Sequence, residues 1–319
     1  MGGMAFLFPG QGSQKPGMGK DLVARYPYLR ARYFDAADEI LGRPLSRMCF
    51  EGDAEELNRT ENTQPAVFVV SMAILDVLRA AGLEPDAVAG HSLGEYSALV
   101  CAGALDFPAA LRLVDRRGTL MSQVNAANPG AMAALIGVPA DRVGAICAEA
   151  RLHTGEVVEP ANFNEPEQTV VSGTERGVDH AMRLGRDAGA RVVRLRVGAP
   201  FHCSLMSQVA ERFAADLEAA PFTDPDLPVI ANVTAAPLST ARAARQALVR
   251  QIASPVRWSE TMRLLVDDGC RTFVEVGPGR ALSGFAMKIA PDVPVHSTGQ
   301  ARRVDKLLEH FEMASVTPI

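Results

Sequence analysis

The 319-residue chain carries 32 Lys and Arg against 37 Asp and Glu, a formal net charge of -5, with 48% hydrophobic and 22% charged residues. That balance fits a globular enzyme with a sizeable core in one large or two smaller domains, and the negative net charge argues against nucleic acid as the main partner. Charge, glycine or proline interrupts the apolar stretches before the roughly 18 residues a membrane span needs, so no membrane association is expected. Met4-Ala5-Phe6-Leu7-Phe8 begins at once, with no basic leader ahead of it, and the expected location is cytoplasmic. Five cysteines without CxxC spacing imply neither a disulfide framework nor a metal site, and Cys101 and Cys147 read as packing residues.

Met4 to Phe8 reads as a buried strand, followed by the tight loop Pro9-Gly10-Gln11-Gly12-Ser13-Gln14. Neither phosphate-loop pattern fits this loop: Lys15 stands where a third glycine would fall, and Gly19-Lys20 is followed by Asp21. Residues 28 to 80 read as helical, with breaks expected at Gly42-Arg43-Pro44 and at Asn62-Thr63-Gln64-Pro65, and Ala66 to Leu78 has helical length and period.

After the turn Leu83-Glu84-Pro85-Asp86 comes Val88-Ala89-Gly90-His91-Ser92-Leu93-Gly94-Glu95, a Gly-x-Ser-x-Gly pattern between a short apolar run and a helix. A serine hydroxyl is a poor nucleophile at neutral pH and needs exposure, a base and donors for the oxyanion. Glycines on either side of Ser92 let a strand bend sharply into a helix, and the Leu93 amide at that helix start can face a developing oxyanion. Asp106 to Met121 continues as a helix carrying Arg116-Arg117.

Beyond Pro129 the pattern changes to strand-helix-strand-strand-helix-strand: Ala131–Val138, Asp141–Ala150, Glu156–Asn162, Gln168–Ser172, Glu175–Gly189 and Arg191–Val197. This is the ferredoxin-like split unit. The expected class is α/β: a large domain over 1–127 and 199–319 with a central, mostly parallel sheet, and an inserted small domain over 128–198. Pro200-Phe201-His202 marks the return to the large domain. Strands at Val229–Val233 and Arg271–Val276 and helices at Leu205–Ala219 and Ala241–Ile252 follow. His153, His180, His296 and His310 stand in polar settings and read as surface residues, whereas His91 sits inside the elbow; the stretch from Arg302 to Ile319 carries a short helix and no functional signal.

Taken together, Phe8-Pro9-Gly10-Gln11-Gly12-Ser13-Gln14, Thr63-Gln64-Pro65-Ala66, Gly90-His91-Ser92-Leu93-Gly94-Glu95-Tyr96, Pro200-Phe201-His202 and Glu275-Val276-Gly277-Pro278-Gly279 make the chain closely resemble the malonyl-CoA:acyl carrier protein transacylases. That family includes the acyltransferase domains of polyketide synthases and their free-standing counterparts. The resemblance implies an α/β-hydrolase-like large domain, Ser92 as nucleophile, His202 as base, and the main-chain carbonyl of Gln251 orienting the base. It implies the amides of Gln11 and Leu93 as oxyanion hole, and Arg117 as the grip on the free carboxylate of a malonyl group. Phe201 would limit the acyl group to one without an alpha-methyl branch.

Malonyl-CoA and an acyl carrier protein are the implied partners of a monomeric enzyme, by ping-pong transfer through a malonyl-serine ester, with no metal or redox cofactor. Arg183, Arg186, Arg191, Arg194 and Arg196 are expected to form a basic dock for the acidic carrier, with Arg194 and Arg196 on one strand face. A trans-acting polyketide acyltransferase with another acyl unit and a serine (thio)esterase remain as alternatives, and the choice between fatty-acid and polyketide pathways stays open.

Overall fold

The computed structural model describes residues 2–127 and 129–311. Its strands, in chain order, are β1 (Gly3–Phe8), β2 (Ala87–Gly90), β3 (Gly130–Ile136), β4 (Val158–Glu165), β5 (Gln168–Thr174), β6 (Arg191–Arg194), β7 (Val229–Ile230), β8 (Pro237–Leu238), β9 (Cys270–Glu275) and β10 (Val295–Ser297). The larger sheet runs β10-β9-β1-β2-β7-β8 and is parallel at every pairing except β7 with β8. Alternation along the strands feeds two cores. Phe6, Phe8, Val88 and Val274 point into one, and Ala5, Leu7, Ala89 and Phe273 into the other. A sheet buried on both faces explains why these strands read as continuous apolar runs.

The smaller sheet, β4-β5-β3-β6, is antiparallel throughout, and the helices Ala140–Thr154 and Glu175–Asp187 pack against it around Leu135, Val143, Ile146 and Val178. Its order of elements is the one expected from sequence. The chain enters and leaves this unit side by side, where the Gly130 N–H donates to the Gly198 carbonyl at 3.2 Å. Strand β4 also reaches back to the larger unit: the Phe163 N–H donates to the Val256 carbonyl at 2.9 Å, and the Val256 N–H to the Ala161 carbonyl at 2.8 Å.

Four local expectations are corrected. Asn62-Thr63-Gln64-Pro65 does not break the chain, because one helix runs from Thr60 to Ala80 straight through Pro65. Proline cannot donate to the carbonyl four residues back, and that carbonyl, of Glu61, instead accepts from Arg43 Nη2 at 3.0 Å. This helix also reaches the length and apolarity of a membrane span, contrary to the sequence reading, but it is a core helix with most of its surface buried. Strand β6 ends at Arg194, so Arg196 is not on the strand with it, and β7 is only two residues long. The boundary residue 128 and residues 312–319 lie outside the described residues.

The loops that matter leave the carboxyl ends of the parallel strands. Phe8 leads into the Gly10–Gln14 loop, Gly90 into Ser92, Ile230 into Asn232, and Glu275 into Gly277-Pro278-Gly279. Glu275 is buried and its carboxylate caps the helix Ala281–Ile289, accepting from the Leu282 N–H at 3.1 Å and the Ser283 N–H at 2.8 Å. That motif therefore anchors a helix start within the sheet. Open α/β sheets bind ligands at this edge.

Candidate active site

The elbow depends on its two glycines by contact. A Cβ at Gly90 would lie 1.9 Å from the Gly94 carbonyl carbon, and one at Gly94 would lie 2.0 Å from the Phe8 carbonyl oxygen. Between them Ser92 adopts φ 53°, in the left-handed region that non-glycine residues avoid. His202, at the return from the small unit, has φ 60°. The two strained residues face each other, with Ser92 Oγ 2.7 Å from His202 Nε2.

The proton on the imidazole can be assigned from its surroundings. His202 Nδ1 lies 2.9 Å from the main-chain carbonyl of Gln251, which can only accept, so Nδ1 carries the hydrogen. Nε2 is then bare and accepts the Ser92 hydroxyl proton. Burial, reinforced by the nearby Arg117 cation, lowers His202 to about 3. The residue is thus held as a neutral imidazole at neutral pH.

Arg117, from the helix Phe107–Ala127, is buried beside this pair. Its Nη2 donates to Ser92 Oγ at 3.0 Å and to Gln251 Oε1 at 2.9 Å, and its Nη1 donates to Gln64 Oε1 at 2.5 Å. These acceptors are all neutral, and Nε has no hydrogen-bond partner among the described residues. From Gln64 the chain of bonds continues: its Nε2 donates to Thr60 Oγ1 at 3.0 Å, and Thr60 donates to Gln11 Oε1 at 2.7 Å. Arginine and the Gly10–Gln14 loop are thereby tied together. Arg116, one residue earlier, pairs at the surface with Asp216 at 3.2 Å.

Gln11, Leu93, Ser92, Arg117, Phe201 and His202 all border one cavity of about 90 Å³. The N–H groups of Gln11 and Leu93 have no acceptor among the described residues. Gln11, Val197 and Phe201 also line a neighbouring groove of about 790 Å³, whose other lining residues include Arg59 and Arg196. The small unit closes the cavity with Met132 and Asn162, and its Asn164 Oδ1 lies 2.9 Å from His91 Nε2. His91 also stacks obliquely near Trp258, with ring centroids 5.5 Å apart. All five cysteines are free and buried, and among the described residues no cluster of His, Cys, Asp or Glu is arranged to hold a metal.

This constellation of paired serine and histidine, oriented carbonyl and buried guanidinium can be compared with known proteins. Residues 5–287 match the acyl transferase domain family. A malonyl CoA-acyl carrier protein transacylase of Bacillus subtilis is 45% identical over 290 residues, covering 91% of each chain. The chain belongs to the malonyl CoA-acyl carrier protein transacylase family. The same transacylase fold appears in a malonyl-transacylase solved in complex with a type II polyketide synthase acyl-carrier protein, at 40% identity, covering 97% of this chain and 99% of that one, TM-score 0.93. An acyl carrier protein S-malonyltransferase from Vibrio cholerae aligns at 41% identity over 95% of this chain and 99% of its own, TM-score 0.91.

In this transacylase the residues singled out from sequence, Ser92, His202, Gln251, Gln11, Leu93, Arg117 and Phe201, converge on one cavity or support its members directly. Others went unnoticed in the sequence: Gln64 as an acceptor for Arg117, Met121 and Met132 as cavity wall, and Glu95 and Asn232 behind the elbow. A signal existed for two of them. Glu95 is the one charge in the otherwise apolar start of the helix Gly94–Cys101, and Asn232 interrupts the apolar run Val229-Ile230-Ala231. Of the expected basic dock, Arg194 is already engaged by Asp179 and Glu175, whereas Arg196 is exposed at the groove.

Proposed function

We propose that this chain transfers a malonyl group from malonyl-CoA to the phosphopantetheine thiol of an acyl carrier protein, by a ping-pong route through a malonyl ester of Ser92. The observation that carries the substrate reading is Arg117: a buried guanidinium with no carboxylate among its hydrogen-bond acceptors, 3.0 Å from Ser92 Oγ. A planar fork of donors is the matching group for a free carboxylate, and a neutral acyl chain would leave that charge without its counterpart.

In the first half-reaction His202 Nε2 takes the Ser92 proton as Oγ bonds to the thioester carbonyl carbon. The Gln11 and Leu93 amides receive the oxyanion, a role in which losing one donor costs on the order of 3 kcal/mol. As the tetrahedral intermediate collapses, the carbon–sulfur bond breaks and His202 returns the proton to the departing coenzyme A thiolate. In the second half the carrier thiol gives its proton to His202, attacks the ester carbonyl, and Ser92 leaves with that proton. The chemistry is redox-neutral and calls for no metal. We read residues 1–127 and 199–319 as a hydrolase-like catalytic unit and 128–198 as a ferredoxin-like insertion that closes the acyl cavity.

The test is intact-protein mass after brief mixing with malonyl-, methylmalonyl- or acetyl-CoA, for wild type and Ser92→Ala. A malonyl adduct formed in preference to the other two and absent from Ser92→Ala is the expected result. No adduct, or one cleared by water as fast as by holo-carrier protein, would overturn the reading in favour of hydrolysis.

A further inference from the structure

Behind the elbow lies a second buried polar group that contributes nothing to the cavity wall. Asn232 follows β7, the neighbour of β2, and its side chain spans the bend: Oδ1 accepts from the Ser92 N–H at 2.7 Å, and Nδ2 donates to the Gly90 carbonyl at 2.6 Å. Its own N–H donates to Glu95 Oε2 at 3.1 Å, and its carbonyl accepts from the Arg257 N–H at 3.0 Å. Glu95 Oε2 also accepts from Gln251 Nε2 at 2.8 Å, and the same Nε2 donates to the Ser92 carbonyl at 2.9 Å. Both Asn232 and Glu95 are fully buried.

We infer that Asn232 and Glu95 are positioning residues of the transfer reaction: Asn232 sets the pose of Ser92, and Glu95 ties Asn232 to Gln251. Through Gln251 the brace reaches both partners of the nucleophile, since its main-chain carbonyl faces His202 and its side-chain oxygen faces Arg117. A non-glycine residue at positive φ persists only where its surroundings over-determine it, and the amide clamp on Gly90 and Ser92 does so from the turn after β7, 140 residues away in sequence. A buried carboxyl is costly where apolar packing would serve. Here it gathers the two N–H groups that fix the base-orienting segment to the elbow.

The inference rests on Ser92 and His202 as the reacting pair, so single-turnover malonyl loading is compared for wild type, Ser92→Ala, Asn232→Ala, Asn232→Asp, Glu95→Ala and Glu95→Gln, each with a thermal melt. Asn232→Ala should lower the loading rate constant roughly 100-fold, the effect of a reacting group displaced by about an ångström, with a much smaller change in KM for malonyl-CoA. Asn232→Asp supplies one acceptor and, when protonated, one donor; it faces Glu95, with Arg117, His202 and His91 around the elbow. Its loading rate should therefore recover as pH falls from about 8 to about 6, and that of Asn232→Ala should not. Glu95→Gln, which keeps an acceptor oxygen, should load faster than Glu95→Ala. Unchanged loading in Asn232→Ala, or losses that track the melting temperature with no recovery in Asn232→Asp, would overturn the inference. A malonyl adduct persisting in Ser92→Ala would instead overturn the assignment of the nucleophile on which it rests.

Discussion

Arg117 and Ser92 are joined by a hydrogen bond from guanidinium Nη2 to hydroxyl Oγ, 3.0 Å long and made inside the protein. The hydroxyl therefore accepts from a cation while donating to His202, 2.7 Å away. Both contacts favour the alkoxide character that attack requires. In the proposed reaction the same cation would receive the free carboxylate of a malonyl group held at Oγ.

Replacing the guanidinium should separate these roles. Hydrogen bonds to charged groups contribute about 1.5–3 kcal/mol each, so Arg117→Ala should lose at least roughly tenfold in kcat/KM for malonyl-CoA, with a smaller loss for acetyl-CoA. Arg117→Lys keeps the charge without the fork and should fall between wild type and alanine. Competition between the two thioesters, read by the mass of the acylated protein, gives the ratio directly.

His202 should make the enzyme acid-tolerant in rate and acid-sensitive in stability. With the imidazole lowered to about 3 by burial and the Arg117 cation, the acid limb of kcat/KM for loading should fall below about pH 5, away from the ordinary histidine value of about 6.5. Between about 6.5 and about 3 the unfolded chain holds a proton on this residue that the folded chain lacks, so its contribution is intact above 6.5 and lost as pH falls, by about 1.4 kcal/mol per unit. Glu95, raised to about 7 by burial, works in the opposite sense: the folded chain keeps its proton, and stability from this group declines as pH rises from about 4.5 through 7. Urea unfolding at about pH 7 and about pH 4 should show wild type losing more stability than His202→Gln on acidification.

Phe201 borders the cavity beside Ser92. It is buried on the wall shared by the 90 Å³ cavity and the outer groove. Each methylene that a pocket must admit or refuse changes discrimination by about 1–3 kcal/mol. Phe201→Ser should accordingly raise the ratio of methylmalonyl to malonyl loading by about tenfold or more, measured in a mixture of the two thioesters.

Carrier recognition should depend on Arg196 more than on Arg194. Arg194 is held by Asp179 and Glu175 on the neighbouring helix, and reversing its charge chiefly breaks a surface network. Arg196 is exposed and lines the same groove as Phe201. Arg196→Glu should raise KM for holo-carrier protein severalfold, more at low ionic strength, while leaving loading from malonyl-CoA unchanged. An equal response of Arg194→Glu in the carrier titration would count against this division.

Local chemistry made much of the catalytic edge legible. Gly90 and Gly94 mark the elbow because no side chain fits there, and apolar runs mark β1, β2 and β9 because both faces of the sheet are covered. The resemblance to transacylases attached roles to Arg117, Gln251 and Gln11. Pro65 misled because its breaking effect depends on whether another donor reaches the freed carbonyl, and Arg43, in contact with it in space but 18 residues away in sequence, does so. Strand β6 misled in the other direction. Its apolar alternation continues past Arg194, but after the Leu195 N–H donates to the Met132 carbonyl of β3 the chain leaves the sheet.

By itself the sequence determined the elbow around Ser92 and the α/β order with a strand-helix insertion, since glycine sterics and hydrophobic period act within a few residues, while the pairing of Ser92 with His202 entered only through the resemblance to transacylases. Only the tertiary structure decided the tautomer of His202, the neutral hydrogen-bond acceptors of Arg117, the size of the cavity and the Asn232–Glu95 brace. Each of these arises where carboxyl ends of parallel strands far apart in the chain come side by side, and burial there strengthens or penalises every charge according to neighbours that no local pattern specifies.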